Sequence, residues 1–249
     1  MNLDINTQTW LMRMNTSGHK TTPVAAVVLA AGAGKRMGGR PKALLQRDGQ
    51  PLLARQIDLL TQAGAQAVVV ALGHHAEAYV PVLQAARARL LESKGKGVSL
   101  RWVRNPDPDG GTASSLRCGL AALPADAAAV LVALADQPLL QADDVRAVLH
   151  MWNTREPDVD LVLPGYHGKP GHPVVFGPAL RQAIEQQTVP GGVRAWRLAH
   201  PERVRTLAAT HPRYTLDIDS NADLAALAAE HGVELRWPDS QDGAILPLS

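Results

Sequence analysis

The sequence has few residues that could hold a fold together other than by aliphatic burial. A single cysteine, Cys118, stands among 249 residues, which excludes an internal disulfide and suits a reducing compartment. Lying in a predicted helix, it reads as a small buried hydrophobe rather than a nucleophile. Aromatic residues make up only 4% of the chain and the formal net charge is +2. Outside one short stretch the basic residues are dispersed with few aromatics between them, so a nucleic-acid surface is not expected. No apolar run approaches the roughly 18 residues of a membrane span. The first 22 residues are polar and lack the apolar stretch of a signal peptide, so no membrane partner is expected and the expected location is the cytoplasm.

What the chain does have is alternation. Strand signals at 24–29, 67–72, 98–103, 127–134, 160–164 and 203–208 are interleaved with helical spacing at 51–63, 74–92, 141–152, 178–187 and 193–200, and a last helix runs to Glu230, ended by Gly232. No linker interrupts the series. With 46% hydrophobic residues to build a core, this predicts one α/β domain over 23–249, a doubly wound and mostly parallel sheet of Rossmann-like type, preceded by a flexible tail over 1–22. Pro81 should kink or break its helix. Residues 127–134 are the most apolar stretch and should form a central parallel strand covered on both faces.

Functional residues concentrate where strands end. The first strand runs into Gly32, Gly34, Lys35, Arg36, Gly38, Gly39, Arg40 and Lys42. Glycine lets a backbone approach a ligand closely, and lysine and arginine bring charge and donors to the same small volume, so the expected guest is a polyphosphate. A dinucleotide fingerprint would need glycine at Met37 and an acid near Gly73; a Walker loop would need serine or threonine at Arg36. Both patterns fail on those residues. Further on, residues 104–111 are too rich in proline and glycine for regular structure, and Thr112 to Ser114 can cap the helix that follows to Leu123. Asp136 ends the 127–134 strand, where open α/β sheets bind ligands, and its carboxylate would be costly to bury without a cation or donor.

The run L-A-A-G-x-x-x-R-M-G at positions 29 to 38, with P-K and an apolar pair at 41 to 45, resembles the loop of the nucleotidyltransferases related to the molybdenum cofactor enzymes. In its L-A-A-G form it is most similar to their cytidylyltransferase branch. The resemblance extends in order through Asn105, Pro106, Gly111, Ser115, Leu116 and Gly119, the A-D-x-P at Asp136, the G-H-P at His172, Gly191, Gly192 and Arg194, and Asp217, Ile218 and Asp219, with Ser220 in place of threonine. It implies that Leu29, Ala30, Ala31, Gly32, Gly34, Lys35, Gly73, Asn105, Gly111 and Ser115 line a nucleotide site, Ala30 and Ala31 lying against the base. Arg36 and Lys42 would hold the phosphates, and Asp136 and Asp219 a magnesium ion. Arg36, Lys42 and Asp136 would then be the catalytic residues. Ser115 could equally cap a helix, Asp219 could cap the helix after it, and His172 could either contact the acceptor phosphate or be satisfied by backbone partners.

The implied reaction is attack by an acceptor phosphate on the α-phosphorus of CTP with release of pyrophosphate, the acceptor being the molybdopterin cofactor. Molybdenum hydroxylase apoenzymes or their chaperones are the implied protein partners. Other triphosphates such as GTP, sugar or alcohol phosphate acceptors, and a non-catalytic molybdopterin carrier are the alternative readings.

Overall fold

The computed structural model describes residues 23–94, 97–189 and 191–238; the tail expected over 1–22 lies outside the described residues. The chain forms β1 (Val24–Ala30), a small hairpin of β2 (Gln46–Arg47) and β3 (Gln50–Pro51), α1 (Leu52–Gln62), β4 (Ala67–Leu72), α2 (Ala76–Lys94) and β5 (Ser99–Arg104). There follow α3 (Gly111–Ala121), β6 (Ala129–Leu134), α4 (Ala142–Asn153), β7 (Leu161–Tyr166), β8 (Lys169–Pro170) and β9 (Val174–Phe176). The last elements are α5 (Pro178–Glu185), α6 (Gly192–Ala199), β10 (Val204–Ala208) and α7 (Asn221–His231).

The main sheet runs β10-β7-β9-β6-β1-β4-β5, with β8 paired to β7. It is the expected α/β sheet with helices on both faces. Along β1 the side chains alternate between two cores, as strand geometry requires. Ala26, Val28 and Ala30 pack with Leu53, Ile57, Leu83 and Trp152 of α1, α2 and α4. Ala25 and Val27 pack with Leu116, Leu120, Leu180 and Trp196 of α3, α5 and α6. The approach of α3 to β1 is close: a Cβ on Gly119 would stand 2.5 Å from Val27.

The registers align the strand ends. Ala30 lies opposite Leu72 on β4, and Leu29 opposite Leu134 on β6. From β1 the chain steps outward to β4 and β5, then returns to β6 on the other side of β1. A crevice opens at such a switch point, beyond the carboxyl ends of the strands.

Four details differ from the sequence expectation. Only one neighbour of β6 is parallel, because β9 inserts antiparallel between β6 and β7. α2 runs through Pro81 without a break; the proline is exposed, so water can reach the carbonyl that loses its amide partner. Thr112 to Ser114 lie inside α3 instead of capping it, and the turn before the helix is held by the Asp107 side chain accepting from the Gly110 N–H at 3.0 Å. Residues 233–238, which carry no readable chemistry as sequence, dock back on the domain. Arg236 exchanges both backbone hydrogen bonds with Gln46 at 2.7 and 3.0 Å, and the Arg40 guanidinium lies 3.8 Å above the Trp237 ring.

Candidate functional site

The loop after β1 is shaped by close backbone approaches. Gly34 has a positive φ of 64°, and a Cβ there would stand 2.1 Å from the Arg40 carbonyl oxygen. Its own carbonyl accepts from the Met37 and Gly39 N–H groups at 2.8 and 3.0 Å. At the end of β4, a Cβ on Gly73 would stand 2.4 Å from the Ala31 carbonyl oxygen. Gly34 and Gly73 therefore fold the loop tightly rather than touching a guest. Between this loop and the ends of β1 and β6 lies a cavity of about 390 Å³, reached by Leu29, Ala30, Ala31, Gly32, Lys35, Lys42, Gly111, Ser115 and Asp136.

At its base four residues distant in sequence meet. The Lys42 Nζ stands 2.5 Å from Asp136 Oδ2 and 2.6 Å from Asp219 Oδ1. The Arg36 guanidinium reaches the other oxygen of Asp219 at 2.5 Å. Asp136 is 9% exposed, and its Oδ1 is buried with no hydrogen-bond partner.

Backbone contacts explain why Asp219 arrives there. The Gln137 side chain donates to the Tyr214 carbonyl at 2.7 Å, and the Ile218 N–H donates to the Asp136 carbonyl at 3.1 Å. Residues 216–219 form no regular strand, and Asp217 lies 3.8 Å from Lys169. Asp219 is also not the cap of α7. Ser220 is, its hydroxyl accepting from the Asp223 N–H while the Asp223 carboxylate accepts from the Ser220 N–H at 2.7 Å.

The electrostatics follow from this crowding. Burial pulls the Lys42 ammonium downward, but Asp136 and Asp219 outweigh it and hold it above the ordinary lysine value. Burial pushes the Asp136 carboxyl above the usual carboxylate range, only partly opposed by Lys42. For Asp219 the modest burial penalty is overcome by Lys42 and Arg36, and its carboxyl lies below the usual range. Asp136 thus keeps one buried oxygen that a further donor or cation could meet, beside the one already facing Lys42.

Asn105 does not line the cavity. It is 2% exposed, and its Oδ1 accepts from the Asp107 N–H, the Ser114 hydroxyl and the Cys118 thiol at 3.0, 3.2 and 3.4 Å. Its Nδ2 donates to the Asp107 carbonyl and to Ser115 Oγ at 2.9 and 3.1 Å. Asn105 thus positions the 104–111 loop and the start of α3, and Ser115 is the member of this network that reaches the cavity.

Sequence reasoning missed His74, Tyr79, Asp109 and Thr112, which also line the cavity. His74 Nε2 stands 3.3 Å from Asp109 across it, and burial pushes the Tyr79 hydroxyl well up. His74 and Tyr79 belong to no motif, so the sequence held no signal for them, whereas Asp109 and Thr112 lie within the 105–119 run whose other members were singled out.

A second cavity of about 480 Å³ adjoins the first, with Leu29 and Thr112 belonging to both. His172 lies here and not among the phosphate-side residues. Its backbone N–H donates to the Tyr214 carbonyl at 2.8 Å, and burial pushes its ring down to about 4. Arg194 lines this second cavity as well. Among the described residues no helix is long and apolar enough to cross a membrane.

Residues 26–204 match the sequence model of the MobA-like NTP transferase domain. Among curated proteins the chain is similar to the bifunctional protein GlmU of Mycobacterium ulcerans (strain Agy99), 40% identical over 123 residues that make up 49% of this chain and 24% of that protein. It is also similar to GlmU of Sorangium cellulosum (strain So ce56), 37% identical over 125 residues, 50% of this chain and 25% of that protein. The match spans about a quarter of the length of these relatives. Among solved structures, Rv0371c from Mycobacterium tuberculosis H37Rv superposes with a TM-score of 0.63 at 29% identity, covering 83% of this chain and 97% of that one. Its complex with manganese gives 0.60 at 27%, covering 83% and 98%. A nucleotidyl transferase from Methanothermobacter thermautotroptrophicus shares the fold, with a TM-score of 0.62 at 21% identity over 84% of this chain and 97% of that one.

Proposed function

The chain belongs to the MobA-like NTP transferase domain family, and from that premise we propose that it transfers CMP from CTP to a phosphorylated acceptor of molybdopterin type, releasing pyrophosphate. The observation that carries the reading is the meeting of Asp136, Asp219, Lys42 and Arg36 at the mouth of a glycine-rich loop. Such a cluster suits a reaction between two anions.

In the step itself an oxygen of the acceptor phosphate forms a bond to the α-phosphorus, and the bond from that phosphorus to the oxygen bridging to the β-phosphate breaks. No nucleophilic side chain is required, because the acceptor carries its own anionic oxygen. The protein's part is to align the two and to neutralise charge. Lys35 and Lys42 face the cavity and would meet the triphosphate, Lys42 leaving its carboxylates to do so. Arg36 closes over the cluster from the solvent side. The backbone at Ala30 and Ala31, with no bulk on either side chain, would lie along the edge of the base.

A divalent cation, for which magnesium is the expectation, would be held by Asp136 and Asp219. The orphaned Asp136 Oδ1 fits that assignment, and the manganese complex of Rv0371c supports it. Two carboxylates would suit a hard divalent cation, which beside nucleotides is commonly held by one or two such groups. When bound, the cation supplies charge neutralisation between the reacting phosphate and the leaving group.

The test is pyrophosphate release from each of the four triphosphates in turn, with molybdopterin as acceptor and with and without magnesium. CTP is expected to be preferred and magnesium to be required. Equal turnover of CTP and GTP would remove the basis for the cytidylyl assignment.

A further inference from the structure

The loop that carries Lys35, Arg36 and Lys42 is poorly held from within. Gly38 and Gly39 have positive φ angles of 67° and 73°, and a Cβ on either would meet nothing within 4 Å. Two adjacent glycines packed against nothing are free to turn, and that freedom is lost when a ligand orders the loop, at the expense of affinity. The short helical turn Lys35–Met37 has no side chain capping it. Backbone contacts close the loop instead. The Gly34 carbonyl accepts from Met37 and Gly39, and the Arg40 carbonyl oxygen lies where a Cβ on Gly34 would stand 2.1 Å from it. The place of Arg40 therefore sets the place of Gly34, and with it Lys35 and Arg36.

One segment, residues 233–237, holds this loop from outside. Met37, Leu45 and Leu227 are buried together, and Val233, Leu235 and Trp237 pack against them. Arg236 forms an antiparallel bridge with Gln46, and beside it the Trp237 ring meets the Arg40 guanidinium at 3.8 Å. These two contacts fall at positions 40 and 46, on either side of Lys42, while Lys42 itself turns inward to Asp136 and Asp219. Resting on the nucleotidyl-transfer reading, we propose that residues 233–237 brace the phosphate loop and that Trp237 is a positioning residue, fixing Arg40 so that Lys35, Arg36 and Lys42 stand ready for a triphosphate. Trp237 does not line the crevice; it acts through the loop, by removing part of the ordering that binding would otherwise require. An indole suits the task because its face attracts a guanidinium without bringing a negative charge near the incoming polyphosphate.

The experiment is calorimetric titration of the full chain with CTP, with steady-state pyrophosphate release and limited trypsin digestion in the absence of nucleotide measured in parallel. Trp237→Ala is expected to weaken CTP binding and raise its KM by about tenfold while kcat stays within about threefold, because the brace acts before the chemical step. Trp237→Phe keeps an aromatic face and should recover most of the affinity, whereas Trp237→Leu keeps only the apolar contact and should not. The double variant Arg40→Ala with Trp237→Ala should bind CTP no more weakly than the weaker single variant, since the two side chains form one contact. In the digestion, cleavage after the exposed Lys35 and Arg36 should be about fivefold faster or more in Trp237→Ala than in the parent. Unchanged CTP affinity and unchanged cleavage in Trp237→Ala, additive losses in the double variant, or a phenylalanine variant as weak as the leucine one overturns the proposal. A parent chain that binds no triphosphate, with faster cleavage in Trp237→Ala, sinks the nucleotidyl reading and leaves the brace on the loop standing.

Discussion

The two cavities on either side of Leu29 share a wall yet owe their chemistry to different parts of the sheet. The first is built from strand ends in the parallel half, where loops after β1, β5 and β6 bring Lys42, Ser115 and Asp136 together. The second lies where β9 runs antiparallel between β6 and β7 and is walled by side chains of the strands themselves. Strand ends can present backbone groups and charges because the ladder stops there. A strand face offers only what alternates out of it, which in a buried sheet is aliphatic. One sheet can therefore carry a charged crevice beside an aliphatic one.

The sharpest way to break this contrast is at Asp136. Asp136→Asn removes a charge that nothing else in the buried cluster replaces, and pyrophosphate release is expected to fall by about 10² to 10³. Manganese binding, followed by the electron paramagnetic resonance of the free ion, should be lost with it. Retention of both would take the divalent cation out of this cavity. Lys42→Met should cost about 10² in the same assay, because it removes the half-buried ammonium that would meet the triphosphate. Arg36→Ala should cost nearer tenfold, since its guanidinium side chain is 69% exposed and screened by water. Equal losses for Lys42 and Arg36 would mean that both act at the same depth. Asn105→Ala removes the hub of five hydrogen bonds in a buried loop. A loss of roughly 2 to 3 kcal/mol in stability is expected by urea titration, together with a raised KM for the triphosphate.

Much of the framework was legible in the sequence because local pattern and tertiary role coincide. Residues 67–72 are apolar throughout and form β4, buried at every position. That Asp136 and the Lys42 loop lie near one another was foreseeable in outline, since both follow parallel neighbouring strands that end at one edge of the sheet; Asp219 follows no strand, and only the resemblance pointed to it. The individual contacts were not foreseeable. The sequence has Gly73 and Asn105 touching the nucleotide, but Gly73 makes room for the Ala31 backbone and Asn105 ties a loop together out of reach of the cavity. Ser220 takes the capping role that was open to Asp219. The antiparallel β9 and the pairing of His74 with Asp109 depend on segments far apart in the chain, and no periodicity encodes them.

The smallest expected effect concerns His172, and it separates the cavities by pH rather than by rate. Burial lowers its ring to about 4 from the ordinary value of 6.5. In the unfolded chain the ring takes up a proton as pH falls through 6.5, while in the folded protein it does so only near 4, so the unfolded state binds more protons across that window. Stability contributed by the neutral ring is thus present above 6.5, declines between 6.5 and 4, and levels off below. The contribution is about 1 to 3 kcal/mol, reduced from its ceiling because the ring is only half-buried. His172→Gln should flatten that part of the stability profile measured by urea titration at successive pH values. The difference between variant and parent isolates the ring from Asp136, whose raised carboxyl acts in the opposite sense as pH rises. A profile that keeps its slope in the variant would place the titrating group elsewhere in the molecule.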